Sequence, residues 1–345
     1  MRTIRDCKVC VVGGAGFLGS HLVNHLLDDR NCKVLVVDNL VAGRREFIHQ
    51  KADFLHHDII GSEGYLYRAL RGVDYVFNYA AYPYIPDSFA RPIHVCDVNF
   101  MGAMKVINTA QEAECKGILQ VSSAEIYGDA GEKFYKPLAN KLIGIGEDAL
   151  VVPHSSYGAA KAAIDAWIQV RWREAKTPCI ALRQFNCVGE RETHPYVIPT
   201  IISQLSAQEK EGSVVGYHVA KNGKGVVFLG NNSSRDFLYA GDQARIAVEL
   251  LECGEFGEVY NLGSESSIKI YDLAKMIGKL MGFSDVNVIE DLKRKRPWEI
   301  WALCSDNTKI KKYTRDFEIT PLETALKKTI DWYNERRYWP WETRR

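Results

Sequence analysis

Two side chains with complementary chemistry stand four residues apart in SYGAAKAAIDAWIQV, the Tyr157 phenol and the Lys161 ammonium. The segment has helical periodicity, which places residues four apart on one face, so both groups point at one spot. A tyrosine of pKa ~10 is a poor base at neutral pH, and lowering it by ~3 units needs roughly 4 kcal/mol of preferential stabilisation of the phenolate. A neighbouring cation supplies part of that, which makes the pair suited to taking a proton from an alcohol. Upstream, Ser122-Ser123-Ala124-Glu125-Ile126-Tyr127-Gly128 follows the apolar run GILQV. It offers a second hydroxyl, Ser123, and a carboxylate, Glu125, just beyond the end of a buried strand.

A tyrosine and lysine at this spacing are common by chance and gain meaning from a second motif. Gly13-Gly14-Ala15-Gly16-Phe17-Leu18-Gly19 lies between KVCVV and SHLVNHLL, a strand pattern and a helix pattern. Glycines at 13, 16 and 19 permit a tight turn, close approach of backbone N–H groups to a pyrophosphate, and close packing of helix on strand. KVLVVDN then ends its strand at Asp38, 19 residues after Gly19, with Asn39 beside it. An acid there accepts hydrogen bonds from an adenosine ribose and repels a 2′-phosphate, favouring NAD over NADP. Arg44 and Arg45 stand close by and count in the other direction. Together the motifs point to hydride transfer at an alcohol carbon.

The elements that must position these groups follow from periodicity. KVCVVGG, KVLVVDN, YVFNYAA, GILQVSS and CIALRQFN read as buried strands, and the longer stretches between them as helices. Alternation of the two predicts parallel β-α-β units. After about residue 187 the rhythm loosens, through HVAKNGKGVVFLGNNSS to the aromatic-rich end IDWYNERRYWPWETRR. The expected fold is α/β, a Rossmann-type doubly wound parallel sheet with a smaller, mixed α/β C-terminal substrate-binding domain. Residues 1–187 with about 234–262 are expected in the first domain, and 188–233 with 263–345 in the second. No Pro/Gly-rich linker separates them, so a shared cleft is expected.

Composition narrows the ligand class. The 345 residues are 46% hydrophobic and carry a net charge of only +1, which gives no field for steering toward nucleic acid or an acidic membrane. Charged or polar residues interrupt every apolar stretch before spanning length, and a cytoplasmic protein is expected. Nine cysteines is an odd count. Cys7 and Cys10 form a CxxC, but it runs through a strand and lacks a second pair to complete a zinc site, so free thiols and no metal are expected.

The blocks GGAGFLGSHLV, VVDNL, HHDII, NYAA, VNFMGAMKVINTA, VSSAEIYG, SSYGAAK, RQFNCVGER, VIPTII, SSRDFLYAGDQARIAV, EVYNLGS, KRKRPWE and TIDWY occur in the order shown by extended short-chain dehydrogenases/reductases of the NAD-dependent epimerase/dehydratase family. The chain resembles that family over nearly its whole length. The resemblance implies an NAD-using enzyme on a nucleotide-diphosphate sugar, working as a homodimer. It implies that Asp58 and Ile59 flank the adenine, that Ala80 and Ala81 line the cofactor, and that Asn99 supports the active-site helix. Ser123 would hydrogen-bond the sugar hydroxyl being oxidised, Tyr157 would take its proton, and Lys161 would hold the cofactor ribose. Tyr82, Asn186, Val197, Arg235 and Arg296 would contact the substrate, Asn186 and the two arginines through its diphosphate. Lys293, Arg294 and Lys295 read as a solvated basic face.

Several positions depart from the family pattern. Gln184, Val188 and Glu190 stand where proline, tyrosine and proline are frequent, and Trp298 where glycine is usual. Tyr82-Pro83-Tyr84, Trp298 and Trp301 read equally as core or as walls of a sugar pocket. His154 reads as a solvated loop residue with the substrate within reach.

The resemblance implies a first oxidation at C4 to a ketone, and members diverge afterwards. A 4-epimerase needs no further acid or base, and related epimerases usually carry a small residue at position 125. A 4,6-dehydratase needs a base for the C5 proton, which Glu125 fits, and an acid, which Ala124 is not. The Ser-x-Glu arrangement also resembles UDP-glucuronate decarboxylases and GDP-mannose dehydratases. The leading expectation is a UDP-sugar 4-epimerase, with dehydration or decarboxylation through Glu125 as the alternative. A catalytically silent NAD-sensing protein is the reading from another class, and the retained Ser123, Tyr157 and Lys161 count against it.

Overall fold

The computed structural model describes residues 2–128, 137–138, 141–142, 144–192, 194–211, 213–214, 217–218, 223–315 and 317–336. Part of the variable stretch after residue 218 and the aromatic end beyond residue 336 lie outside them.

Seven strands make one parallel sheet: β1 (Lys8–Val12), β2 (Lys33–Asp38), β3 (Asp53–His56), β4 (Tyr75–Asn78), β5 (Gly117–Ser123), β6 (Cys179–Gln184) and, further along, β10 (Val259–Leu262). Their spatial order is β10-β6-β5-β4-β1-β2-β3. The order reverses between β1 and β4, whose pairing runs from Val9↔Tyr75 to Val12↔Asn78. At such a reversal successive connections leave on opposite faces and open a crevice beyond the carboxyl ends of the strands. The central strands are β-branched and apolar because both faces are covered; β4 and β6 are buried at every position. One cluster, including Val9, Val11, Leu22, Leu119 and Leu250, fills one face, and another, including Cys10, Val12, Val106, Ile118 and Ile164, fills the other.

The covering helices are α1 (Phe17–Asp28), α2 (Glu63–Leu70), α3 (Ala103–Glu112), α4 (Ser156–Ala175) and α6 (Ala240–Cys253), with α1 packed against α6 and α2 against α3. Helix α4 begins where it does because Ser155 caps it, its Oγ accepting from the Gly158 N–H at 3.0 Å. It ends at Lys176, in the left-handed region at φ 51°. A π-helical turn at Asp97–Gly102 precedes α3 and packs on α4.

The remaining elements build the smaller lobe: β7 (Asn186–Val188), α5 (Val197–Glu211), β8 (Lys224–Leu229), β9 (Ser234–Tyr239), β11 (Ser267–Lys269), α7 (Ile270–Leu280), β12 (Asp285–Glu290) and α8 (Leu322–Arg336). β9 pairs parallel with β7 and antiparallel with β11, and β8 pairs parallel with β12. Residues 234–239, expected with the first domain, therefore pair outside the seven-stranded sheet. This lobe has its own core of Ile201, Ile202, Leu205, Val227, Leu273 and Leu326. No helix of the described residues is long and apolar enough to cross a membrane. All nine cysteines are free thiols, and no cluster among the described residues could hold a metal ion.

Candidate functional site

A cavity of about 760 Å³ opens at the carboxyl ends of the strands, bounded on one side by the turn after β1 and on the other by α5 and the segment 229–237. Gly13, Gly16, Phe17, Leu18 and Gly19 line its first end, with Asp38, Asn39, Asp58, Ile59, Ala80 and Ala81. Gly13 sits at φ +81°, and a Cβ there would lie 2.6 Å from the Ala80 nitrogen. A Cβ on Gly19 would lie 2.2 Å from the Gly13 carbonyl oxygen. Only glycine lets the turn come this close both to β4 and to α1. Gly16 carries no side chain to cap α1, so the start of that helix, at the cavity wall, has no side-chain acceptor for its first N–H groups. Asp38 holds the turn in place, one oxygen accepting from Ala15 N–H at 3.0 Å and the other from Leu40 N–H at 2.8 Å. Burial raises its pKa, while those two donors oppose the shift. Asn39 donates to Asp58 at 2.9 Å, tying the ends of β2 and β3 together.

The catalytic groups meet at the middle of the cavity. Tyr157 is part-buried beside Ser123; burial pushes its hydroxyl up to about 12, with the Ser123 side chain pulling the other way. Ser123 Oγ also accepts from the Glu125 N–H at 3.2 Å, which fixes the serine rotamer. Lys161 is 2% exposed. Its Nζ donates to the Val121 carbonyl at 2.7 Å and lies 5.8 Å from the centre of the Tyr157 ring. Burial lowers the Lys161 pKa to about 8, against the pull of Asp165. Gly158 explains how α4 reaches the turn after β5 so closely, since a Cβ there would meet the Glu125 carbonyl at 2.8 Å.

Asp165, one turn beyond Lys161, pairs with Arg183 at 2.8 Å. Arg183 donates in turn to Tyr127 at 2.8 Å, and Tyr127 to Asn261 at 2.7 Å. This buried chain locks α4, β5, β6 and β10 behind the catalytic groups.

At the far end stand Asn186, Val197, Arg235 and Arg296. Arg235 is 6% exposed and donates to Glu299 at 2.7 Å, whose other oxygen accepts from Asn231 at 2.8 Å. Glu125, part-buried, stands here too. Burial raises its pKa, the positive charges of Arg296 and Arg235 lower it, Glu299 raises it and His154 lowers it. The carboxyl thus sits in a field of mixed sign between the tyrosine and the arginines.

Two expected residues lie off the cavity wall. Tyr82 turns its hydroxyl to Asp87 at 2.9 Å, and its turn presents Pro83 and Tyr84 to the cavity instead. Asn99 exchanges hydrogen bonds with the Tyr82 backbone, accepting from its N–H at 2.7 Å and donating to its carbonyl at 3.1 Å. Its place is behind the wall, in the π-helical turn that packs on α4. Trp298 and Trp301 are 67% and 52% exposed, so neither is core. Trp298 packs edge-on against His154 at 6.3 Å. Lys293, Arg294 and Lys295 are exposed as expected and also rim the cavity. Glu192, His194, Tyr196 and Glu299 line it without having been singled out for that place. Of these, Glu299 was the most accessible to sequence reasoning, as the acid next to RPW.

Residues 9–263 match the sequence model of the NAD dependent epimerase/dehydratase family. The chain belongs to that family. It is 28% identical over 340 residues to the human dTDP-D-glucose 4,6-dehydratase, covering 95% of this chain and 90% of the relative. It is 25% identical to a putative UDP-glucose 4-epimerase of Methanocaldococcus jannaschii, over 94% of this chain and 97% of that one. Among solved structures, a UDP-N-acetylglucosamine 4-epimerase from Methanobrevibacter ruminantium superposes with a TM-score of 0.80 at 26% identity, covering 96% of this chain and 99% of that one. A dTDP-glucose 4,6-dehydratase from Streptomyces venezuelae, solved with NAD, gives 0.80 at 25%, covering 96% and 98%. This family member is an NAD-dependent enzyme with a Rossmann-type fold. The cavity fits the cofactor: the glycine cradle and uncapped α1 suit the pyrophosphate, Asp38 the adenosine ribose, and Lys161 the second ribose.

Proposed function

We propose that the enzyme oxidises C4 of a nucleotide-diphosphate sugar and returns the hydride to the opposite face, acting as a 4-epimerase on a UDP-sugar. The observation that carries the reading is the convergence of Ser123, Tyr157 and Lys161 on the middle of the cavity, with the Lys161 Nζ 5.8 Å from the Tyr157 ring centre, between the glycine turn and the two arginines. NAD, when bound, accepts the C4 hydride and gives it back. Tyr157 takes the C4 hydroxyl proton as the C–H bond breaks and returns it when the alcohol re-forms. Ser123 holds that oxygen in line, and the Lys161 charge stabilises the phenolate. Arg235, steadied by Glu299, and Arg296 bind the diphosphate, which leaves the sugar itself held by weaker contacts. Ala124, next to Ser123, has no proton to give.

A second reading, dehydration or decarboxylation, is favoured by one observation: Glu125 is a part-buried carboxyl, its pKa raised by desolvation, beside the catalytic tyrosine. Such a group is suited to taking a C5 proton. Glu125→Gln separates the two. An epimerase is expected to keep its kcat within about tenfold, because Gln keeps the side chain's size and polarity, whereas a dehydratase or decarboxylase is expected to lose 10²-fold or more. We also place the enzyme in the cytoplasm as a homodimer pairing through α3 and α4, where Met104, Asn108, Trp167 and Arg171 line a shallow outer groove. Residues 1–185 and 240–262 are taken as the cofactor-binding half and the rest as the substrate half. Sedimentation of the purified protein checks the dimer.

A further inference from the structure

Glu192 is the buried acid that the mechanism above leaves without a task. It lines the cavity, is 6% exposed, and among the described residues no hydrogen bond or ion pair reaches its carboxyl. Burial alone raises its pKa well above the usual carboxylate range. An enclosed carboxyl without a partner is costly, so its presence calls for a donor that arrives with the ligand.

The surroundings narrow that donor. Tyr84 stacks on His194 with ring centres 5.7 Å apart and planes 7° from parallel. Tyr196 stands edge-on to both, at 5.9 Å from Tyr84 and 5.6 Å from His194. All three rings line the same cavity, and the Tyr196 hydroxyl donates to the Pro83 carbonyl at 2.7 Å, tying the wall together. Tyr196 feels the charge of both Tyr157 and Glu192, so the wall spans from the reacting centre to the acid. The acid itself is fixed through its backbone, whose carbonyl accepts from the Tyr333 hydroxyl at 2.6 Å. A ring hydroxyl would satisfy the carboxyl but bring nothing to three aromatic rings. An ammonium gains from ring faces, and an acylamide offers an N–H to the acid and a methyl to the rings.

Resting on the proposed nucleotide-sugar reading, we propose that Glu192 with Tyr84, His194 and Tyr196 forms the subsite for a nitrogen-bearing substituent, an amine or an acylamide, on the sugar ring. The test is calorimetric binding of UDP-glucose, UDP-glucosamine and UDP-N-acetylglucosamine to the full chain with NAD, for the wild type, Glu192→Gln and Glu192→Leu. Glu192→Ala serves in place of Leu if a thermal melt shows that Leu misfolds. The wild type is expected to bind one nitrogen-bearing sugar about 10- to 100-fold more tightly than UDP-glucose, as for a buried hydrogen bond to an ionisable group. Leu is expected to abolish that preference while leaving UDP-glucose within about threefold. Gln distinguishes the two sources, keeping a preference for the acylamide, whose N–H its carbonyl accepts, and losing one for the amine. Equal wild-type binding of all three sugars, binding of none, or an equal loss of all three in the variants overturns the subsite. So does weakened NAD binding with the sugar preference intact, which would turn the acid toward the cofactor. A wild type that shows the preference yet turns over no sugar overturns only the 4-epimerase reading.

Discussion

Replacing Lys161 with Met removes the charge held against Tyr157 and keeps the side chain's length. The ammonium lies 5.8 Å from the Tyr157 ring centre, and at an effective dielectric of about 20 that separation corresponds to about 3 kcal/mol of phenolate stabilisation, or about 2 pKa units. The tyrosine already stands at about 12 from burial, so losing the lysine moves it further from neutral pH. At saturating NAD and pH 7, kcat is expected to fall about a hundredfold, and to recover as the pH is raised because hydroxide then does what the lysine did. The wild type has the opposite limb: Lys161 gives up its proton near pH 8, and its advantage over the variant shrinks above that. Stability moves the other way. Because the folded-state pKa of about 8 lies below the ordinary lysine value of 10.5, the unfolded chain binds more protons between the two, and stability rises with pH through that window. Met flattens that rise and is expected to raise the melting temperature of the apo-protein at pH 7. The assay is stopped-flow or discontinuous turnover across pH 6–10 beside thermal melts at the same values. A variant that keeps more than about a third of the wild-type kcat at pH 7, or whose lost rate does not return with pH, refutes the electrostatic role.

Other perturbations follow from the same geometry. Gly13→Ala is expected to weaken NAD binding at least tenfold and to lose about 1–3 kcal/mol of stability, since it combines a left-handed φ of +81° with a Cβ 2.6 Å from the Ala80 nitrogen; fluorescence titration and urea unfolding read both. Asp165→Asn leaves Arg183 buried without its counter-charge 2.8 Å away, and about 3–5 kcal/mol is expected to vanish from the urea-derived unfolding free energy. Glu299→Gln loosens Arg235, so KM for the nucleotide sugar is expected to rise about tenfold with kcat nearly unchanged; steady-state kinetics that show the reverse split would place Glu299 in the chemistry.

Five of the seven strands of the sheet were legible because each is a short β-branched run buried on both faces, and periodicity reports burial directly; the four-residue β10, Val259–Leu262, was not read as a strand. β3 was not among the runs singled out: Asp53–His56 is only partly buried at its two central positions and exposed at its ends, which is the fate of an edge strand and leaves little apolar signal. The tyrosine, lysine, serine and glycine turn were readable from spacing because local backbone geometry alone brings their motifs into place. Contacts across the cleft were not. Arg235 and Glu299 are 64 residues apart, and nothing in either local sequence announces the pair. Glu192, His194 and Tyr196 gained meaning only when folding set them opposite Tyr84. The cysteines make the same point on a small scale. Cys7 and Cys10 share a CxxC, yet Cys10 is buried in the core while the Cys7 sulfur lies 3.8 Å from that of Cys32 at the start of the neighbouring strand, because parallel pairing aligns residues that the sequence keeps far apart.

The most direct test of the central claim is incubation of the enzyme with NAD and a panel of UDP-, dTDP-, GDP- and CDP-sugars in heavy water, read by proton NMR and mass spectrometry, with Tyr157→Phe as the control. Internal hydride return at C4 requires one sugar to change configuration with no change of mass and no deuterium on carbon, and requires the phenylalanine variant to be silent. Deuterium entering carbon, or loss of water or carbon dioxide, would contradict simple epimerisation and give the chemistry to Glu125, while unchanged turnover in Tyr157→Phe would remove the tyrosine from the reaction altogether.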